Sequence, residues 1–354
     1  MSRDPRLAAG DPHANLHAIS SGQDLTAAEA EALFSQIMDG RVSATLIAAL
    51  LAALATKGET EQEIAGAARV MRVRAERVAT SRAPLLDTCG TGGDFSGSFN
   101  VSTAAAFVVA AAGIPVAKHG NRAASSRCGS ADVLEALGVV IDLPPLQVGR
   151  SIDDLGIGFL FAPRFHPAMR HAIGVRREIR IRTVFNLLGP LTNPAGARRQ
   201  VIGVPSPDAV GRIAAVLREL DAEVAAVVHG LDGLDEISVS GPTRIATVRG
   251  AALEEWIIVP EDLGLATFAR GELAGGDAQA NARILGAVLA GEGTGAQRAV
   301  VAANAGAGIW IGGGAPTLRE GVERASETLA TGRAADLLTD FAALTRRLAS
   351  GAAS

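Results

Sequence analysis

The chain has 354 residues, 48% of them apolar and 20% charged, which indicates a packed globular protein of about two domains. Its net charge is −4, it has no tyrosine and its basic residues form no block, so we expect no nucleic-acid partner. No apolar run reaches the roughly 20 residues of a membrane span, and the polar N-terminus has no secretion signal, so we expect a cytoplasmic protein.

Residues 1–15 are predicted to be a frayed tail, and three helices are predicted between residues 25 and 82. Each helix begins at a Ser or Thr suited to an N-cap, and the first and third have Glu three residues later, as in a capping box. Apolar residues recur every three or four positions. This pattern predicts a helical domain over residues 1–82, joined by part of the helix-like segment 146–190.

From residue 83 to 354, short apolar runs alternate with alanine-rich helical stretches, which is typical of an α/β domain with a mostly parallel sheet. Strands are predicted at 84–86, 114–117, 139–141, 201–204, 223–228 and 256–259. Two closing helices are predicted between residues 317 and 348. The two cysteines, Cys89 and Cys128, are too few for a disulfide framework or a zinc site, and we interpret them as packed side chains.

The strongest local signal is the glycine-rich segment DTCGTGGD at 87–94, followed by FSGSFNVST at 95–103 and a helix. Glycines let backbone N–H groups approach an anion, and Asn100, Ser102 and Thr103 lie at the start of a helix, where phosphate is favoured. The segment is neither a Walker loop nor a dinucleotide fingerprint. Asp94 suits ribose hydroxyls or a metal-bound polyphosphate. Taken alone, a plain glycine turn with a routine cap is an equal alternative.

A second donor-rich segment, KHGNRAASS at 118–126, follows the next predicted strand and leads into another helix. Lysine, asparagine, arginine and serine donors at the carboxyl end of a parallel strand are typical of a ligand site. Lys118 or Arg122 by itself is also compatible with a solvated charge. We interpret His119 as a wall of the site rather than a general base, because cationic neighbours suppress its protonation.

Two further segments carry charge next to apolar sequence. HGLDGLDE at 229–236 follows an apolar strand, and its carboxylates suit a hard cation such as Mg²⁺, although a solvent-facing acidic turn is the alternative. Adjacent acids on a strand would face opposite ways, so we expect Asp235 and Glu236 in a loop or on two ions. Arg176 and Arg177 suit a carboxylate on a flat apolar ligand, or are surface arginines.

Six segments together resemble the anthranilate phosphoribosyltransferases, from about residue 16 to 347: GTGGD (90–94), FNVST (99–103), KHGNRAASS (118–126), GSAD (129–132), FNLLGPLTNP (185–194) and HGLDGLDE (229–236). The resemblance implies a small helical domain hinged to a larger α/β domain, the fold of nucleoside phosphorylases, and a homodimer. It implies transfer of the 5-phosphoribosyl group from phosphoribosyl pyrophosphate (PRPP) to anthranilate in tryptophan biosynthesis, with two Mg²⁺ ions per monomer. The alternatives are a nucleoside phosphorylase and a non-catalytic nucleic-acid-binding relative.

The resemblance also implies site residues. Those for PRPP are Gly90, Gly93, Asp94, Ser98, Asn100, Val101, Ser102, Thr103, Lys118, His119, Gly120, Asn121, Arg122, Ala123, Ala124, Ser125, Ser126 and Ser130. Those for anthranilate are Gly90, Asn121, Pro163, His166, Arg176 and Gly189, and those for Mg²⁺ are Ser102, Asp235 and Glu236. Lys118 and the metal are expected to stabilise the leaving group. The chain departs from the family at Phe95, Ser98 and Arg180, where a small residue, Thr and Gly are usual.

Overall fold

The computed structural model describes residues 4–94, 96–123 and 127–351. The helices are α1 (Pro5–Ala8), α2 (Pro12–Ser20), α3 (Ala27–Met38), α4 (Ala44–Lys57), α5 (Glu61–Arg74), α6 (Val101–Ala111), α7 (Ser130–Ala136), α8 (Pro145–Leu155), α9 (Ala162–Phe165), α10 (Arg170–Ile179), α11 (Val184–Leu188), α12 (Pro207–Glu219), α13 (Ala278–Leu289), α14 (Gly295–Ile311), α15 (Leu318–Ala330) and α16 (Arg333–Ala349). The strands are β1 (Leu86–Asp87), β2 (Val116–Gly120), β3 (Ile157–Phe161), β4 (Arg199–Gly203), β5 (Val224–Gly230), β6 (Thr243–Arg249) and β7 (Ala252–Ile258). Phe95, Ala124, Ser125 and Ser126 lie outside the described residues.

The three predicted N-terminal helices are confirmed as α3, α4 and α5. Thr26 and Thr60 each form a capping box with the glutamate three residues later, which satisfies two N–H groups at each helix start. The prediction of a frayed tail over 1–15 is wrong for residues 4–15, and residues 1–3 lie outside the described residues. Asp4 and Asp11 cap α1 and α2, and Leu7 is buried against the helical core, so this segment is anchored by packing.

A seven-stranded sheet has the order β3-β2-β1-β4-β5-β6-β7. The first five of these strands are parallel; β6 pairs with β5 in the antiparallel direction, and β7 pairs antiparallel with β6. The mostly parallel sheet is therefore confirmed. The strand predicted at 139–141 is wrong, since Val139 and Ile141 are buried in a connection without a strand partner. Strands β3 and β6 were not predicted.

Helices cover both faces of the sheet. On one face of the sheet, a core is formed with helices α2, α3, α4, α5, α10, α11 and α12. On the other face, a second core is formed with helices α6, α7, α13, α14, α15 and α16. Helices α10 and α11 pack against the N-terminal helices, whereas α8 and β3, from the same 146–190 segment, pack with the α/β part. The two predicted closing helices are confirmed as α15 and α16. Within the described ranges, no helix is long and apolar enough to cross a bilayer.

The order of the strands fixes where a ligand would lie. Strands β2 and β3 lie on one side of β1, and β4 and β5 lie on the other, so the order in which successive strands are added to the sheet reverses between β1 and β4. Open α/β sheets bind ligands at the carboxyl ends of strands beside such a reversal. The segments after β1, β2 and β5 start at this edge, and they are the three segments in which the sequence concentrates glycine, donors and acids.

Candidate active site

The glycine-rich segment leaves β1 and turns across the end of β4. The N–H of Thr91 donates to the Gly203 carbonyl at 2.9 Å, and a side chain at Gly203 would overlap the backbone of Asp235. Gly92 and Gly93 have φ values of 62° and 85°, which glycine adopts without strain. The segment therefore needs Gly92 and Gly93 for its turn, and β4 needs Gly203 where it meets the acidic loop.

Lys118 is buried beneath this turn at the end of β2. Its Nζ donates to the Thr88 carbonyl at 3.0 Å and lies 3.4 Å from the Ser102 hydroxyl, on the first turn of α6. The side chain is only 3% exposed. A buried ammonium beside a helix N-terminus concentrates positive charge at one point, which suits the leaving phosphate of a polyphosphate.

Three carboxylates gather across from Lys118. Asp235 and Glu236 follow β5 in a turn, as predicted, and the N–H of Ser102 donates to Glu236 Oε1 at 3.1 Å. The N–H of Asp235 donates to Asp94 Oδ2 at 3.3 Å, which brings the first loop onto the third. Burial, together with the negative charge of Asp94, raises the pKa of both acids, that of Glu236 to about 7. Such a cluster favours a bound cation, because the cation relieves the repulsion.

The loop after β2 is closed by Asp132 on α7. Its Oδ2 accepts the N–H groups of Ala123 and Gly129 at 2.9 and 2.8 Å. Arg122 pairs with Asp132 and Glu135 and is half exposed, so its charge is already compensated. The Ser130 hydroxyl donates to the Asn121 carbonyl at 3.3 Å. The structure thus brings the described part of this loop beside α6, with Arg122 turned toward α7.

The other predicted PRPP residues lie on the same edge. Gly93, Asp94 and Ser98 lie in the segment after β1, Asn100 caps α6, and Val101, Ser102 and Thr103 form its first turn. His119 and Gly120 end β2. The side chains of Val101 and Thr103 are each 1% exposed, so Val101 faces the apolar core and offers a ligand only its backbone.

Two buried histidines, His119 and His166, pack together next to the segment that follows α11. His119 Nδ1 donates to the Gly189 carbonyl at 2.8 Å, because a carbonyl only accepts, and this leaves Nε2 as an acceptor. The His166 ring lies 5.2 Å from the His119 ring, centroid to centroid. Burial lowers the pKa of His119 to about 4 and that of His166 to about 3. Both imidazoles are neutral at pH 7, which fits a wall better than a proton carrier.

Arg176 on α10 packs against α11. Its guanidinium lies 5.5 Å from the centre of the Phe185 ring, and burial lowers its pKa. Within the described residues it has no ion pair and its side chain makes no hydrogen bond. A partly desolvated arginine without a counter-ion, stacked on an aromatic ring, suits the carboxylate of a flat ligand.

Asp87, Cys89 and His119 also place ligand atoms within 4.8 Å of one another. Both oxygens of Asp87 already accept hydrogen bonds, from the N–H of His119 at 3.1 Å and from Asn193 Nδ2 at 2.7 Å. Burial raises the pKa of both cysteine thiols, so each stays protonated. This trio is a packed layer under the site, consistent with the interpretation of the cysteines as packed side chains.

Asn193 was not singled out as a site residue, although it belongs to the FNLLGPLTNP segment. Its Nδ2 donates to Asp87 and to the Ala117 carbonyl at 2.8 Å, so it joins the α11 segment to both β1 and β2. Arg182 was also missed. It donates to the Gly92 carbonyl at 3.1 Å and lies over Gly93. Proximity to a recognised segment was the only sequence signal for either residue.

Replacing Asn193 with alanine is expected to lower the free energy of unfolding by about 1.5–3 kcal/mol at pH 8, since it removes a donor from a buried carboxylate. Burial raises the pKa of Asp87 to about 6, so at pH 5 this group is protonated and the lost bond matters less. Urea unfolding at the two pH values measures the difference. An equal loss of unfolding free energy at pH 5 and pH 8 would contradict the role of Asn193 as a donor to the Asp87 carboxylate.

Comparison with known proteins places this arrangement in a family. Residues 15–75 match the helical bundle domain of a glycosyl transferase family, and residues 82–335 match its a/b domain. The anthranilate phosphoribosyltransferase of Rubrobacter xylanophilus is 56% identical over 336 residues, which cover 94% of this chain and 97% of that protein.

Comparison with solved structures points to the same family. The crystal structure of the Thermus thermophilus anthranilate phosphoribosyltransferase is 46% identical with a TM-score of 0.88, over 94% of this chain and 99% of that one. The Saccharomyces cerevisiae enzyme in complex with PRPP and Mg is 26% identical with a TM-score of 0.85, over 97% of this chain and 99% of that one. The same enzyme in complex with 4-fluoroanthranilate is 25% identical with a TM-score of 0.83, over 94% of this chain and 98% of that one. The helical domain with a larger α/β domain is thereby confirmed, and the chain belongs to the anthranilate phosphoribosyltransferase family.

Proposed function

We propose that this protein transfers the 5-phosphoribosyl group of PRPP to the amine of anthranilate, releasing pyrophosphate. The observation that carries the proposal is a pair of charge environments that the α11 segment connects. Lys118 and the N-terminus of α6 lie beside the carboxylates of Asp235 and Glu236, while Arg176 stacks on Phe185 of α11, and the Gly189 carbonyl after this helix accepts from His119, the residue next to Lys118. One environment suits a metal-bound polyphosphate, and the other suits an aromatic carboxylate.

The donor would bind on the segments after β1 and β2. Gly90 and Gly93 let backbone N–H groups face the phosphates, and Asn100, Ser102 and Thr103 supply the start of α6. Lys118 faces the leaving pyrophosphate and stabilises the charge that develops there. Related structures support this assignment, since the yeast enzyme was solved with PRPP and Mg.

The acidic cluster fits Mg²⁺, because its raised pKa values report a site in which unneutralised negative charge is unfavourable. Ser102, Asp235 and Glu236 would hold the metal, and we propose two ions per protomer. When bound, Mg²⁺ supplies Lewis-acid stabilisation of the pyrophosphate oxygens.

The acceptor would lie between His119, His166 and Arg176, with Pro163 and Gly189 at its edge and Gly90 and Asn121 toward the donor. Arg176 holds the carboxylate, and the neutral histidines leave the aniline nitrogen unprotonated and nucleophilic. That nitrogen attacks C1 of the ribose as the C1–oxygen bond to pyrophosphate breaks, and the amine then loses one proton to solvent. Positioning of the two substrates therefore contributes more than a strong base.

The reaction is tested by following anthranilate fluorescence with PRPP and Mg²⁺. We expect the signal to fall only when all three are present. The controls replace anthranilate by benzoate, which lacks the amine, or supply a nucleoside with phosphate. Fluorescence loss without PRPP, or turnover of the nucleoside alone, would overturn the proposal.

The domain division is part of the proposal. Residues 1–82 with α10 and α11 form the helical domain, and 83–354 without them form the α/β domain, as the packing of α10 on α4 and α11 on α5 supports. A cytoplasmic location is also proposed, with Cys89 and Cys128 present as thiols.

The helical domain is expected to mediate a homodimer. It is too small to bury all of its apolar surface, and Val73 and Ile173 are 71% and 40% exposed. Sedimentation at micromolar concentration is expected to give twice the 36.0 kDa mass of one chain. A mass near that of one chain would contradict a dimer.

A further inference from the structure

A buried asparagine outside every recognised segment lies next to the donor loops. Asn281 is on the first turn of α13 and is 1% exposed. The N–H of Gly276 donates to its Oδ1 at 2.7 Å. A backbone N–H requires an acceptor, so this contact fixes which end of the Asn281 amide is oxygen, and its Nδ2 must point the other way.

The orientation of the Asn281 amide also fixes the orientation of the Asn100 amide. Asn281 Nδ2 donates to Asn100 Oδ1 at 3.0 Å, and Asn100 Nδ2 donates to the Cys128 carbonyl at 3.1 Å. A backbone donor at one end and a backbone acceptor at the other thus leave a single orientation for both amides. The Asn100 amide nitrogen carries two hydrogens, and the Cys128 carbonyl accepts one of them, which leaves the second for a ligand.

The backbone around these amides is built for their close approach. Gly275 N–H donates to the Gly97 carbonyl at 2.8 Å, and Phe99 N–H donates to the Leu273 carbonyl at 3.2 Å. A side chain at Gly275 would lie 2.7 Å from both Asn281 Oδ1 and Phe99 N. The segment before α13 therefore lies directly against the segment that carries Ser98 and Asn100.

We infer that Asn281 is a positioning residue for the phosphoribosyl donor: it holds the Asn100 amide so that N–H, not the carbonyl oxygen, faces the bound polyphosphate. The inference rests on the proposed function. Without the Asn281 amide, Asn100 Oδ1 loses its Nδ2 donor, so the Asn100 side chain keeps its bond to the Cys128 carbonyl but is less firmly oriented.

The test compares Asn281→Asp and Asn281→Ala by calorimetric binding of PRPP with Mg²⁺, without acceptor. Aspartate keeps the size and the acceptor for Gly276 but places a second acceptor against Asn100 Oδ1. We expect both variants to raise the Kd for PRPP about tenfold or more, with the KM for anthranilate within a few-fold of wild type. Asn15→Ala is the matched control, since Asn15 is fully buried but donates only within α2 and its cap; its Kd is expected to be unchanged.

A double-mutant cycle with Asn100→Ala separates an effect through Asn100 from a direct effect of the new charge. In that background, replacing Asn281 is expected to add little. Equal Kd values for wild type and both folded Asn281 variants, or full additivity with Asn100→Ala, would overturn the inference; if one variant does not fold, the other decides. A wild-type protein that does not bind PRPP would instead overturn the proposed function.

Discussion

Replacing Asp235 and Glu236 together with alanine is expected to lower kcat well over tenfold, which corresponds to more than about 1.4 kcal/mol of barrier. The same variant, without metal at pH 8, is expected to be at least as stable as wild type. Both acids lie in a turn after β5, where we propose that they hold Mg²⁺ and expect them to contribute little to packing.

The raised pKa of Glu236 sets the direction in which the stability of the metal-free protein changes with pH. Burial raises the pKa of Glu236 from 4.5 to about 7, so ionisation is harder in the folded than in the unfolded state. Stability that the metal-free wild type has below about pH 4.5 is lost as the pH rises through 7, and the double variant should lack this loss. Scanning calorimetry in EDTA from pH 5 to 8 and kcat with Mg²⁺ test both parts. Wild-type turnover by the variant at low Mg²⁺ would show that the metal assignment is wrong.

Replacing Arg176 with alanine is expected to raise the KM for anthranilate tenfold or more and to leave that for PRPP within a few-fold. Removing one partner of a desolvated charge pair costs about 2–5 kcal/mol, and the carboxylate is the same in the ground and transition states, so the loss appears mainly in KM. Lysine is expected to restore binding only in part, because it lacks the planar fork and the stacking on Phe185.

The exposed neighbour Arg177 on the same helix provides the matched control. Arg177→Ala removes the same charge from α10 without touching the Phe185 stack, and both KM values should stay near wild type. Equal weakening of PRPP and anthranilate in Arg176→Ala would mean that Arg176 binds phosphate or supports the fold.

The elements that could be predicted from the sequence are those with local signals. The capping residues Thr26 and Thr60 mark their helices, and glycine with donors after β1 and β2 marks the carboxyl edge of the sheet. The errors concern tertiary packing. Residues 139–141 have the composition of a strand but no strand partner, and residues 4–15 lack a strong helical period yet are anchored by Leu7.

The supporting side chains of the site could not be predicted for a similar reason. Asn193 and Asn281 are single amides whose partners lie far away in the chain, on β1 and at the start of α6. A buried amide changes neither the apolar period nor the capping pattern of its own segment. Only the fold brings its donor to the loop that it holds.

The most direct test of the transfer reaction is phosphorus NMR of the wild-type protein with PRPP, anthranilate and Mg²⁺. We expect that one inorganic pyrophosphate appears for each anthranilate consumed, and that EDTA stops both changes. Pyrophosphate released without loss of anthranilate, or anthranilate consumed without pyrophosphate, would contradict a transfer in which the cleft brings the two substrates together.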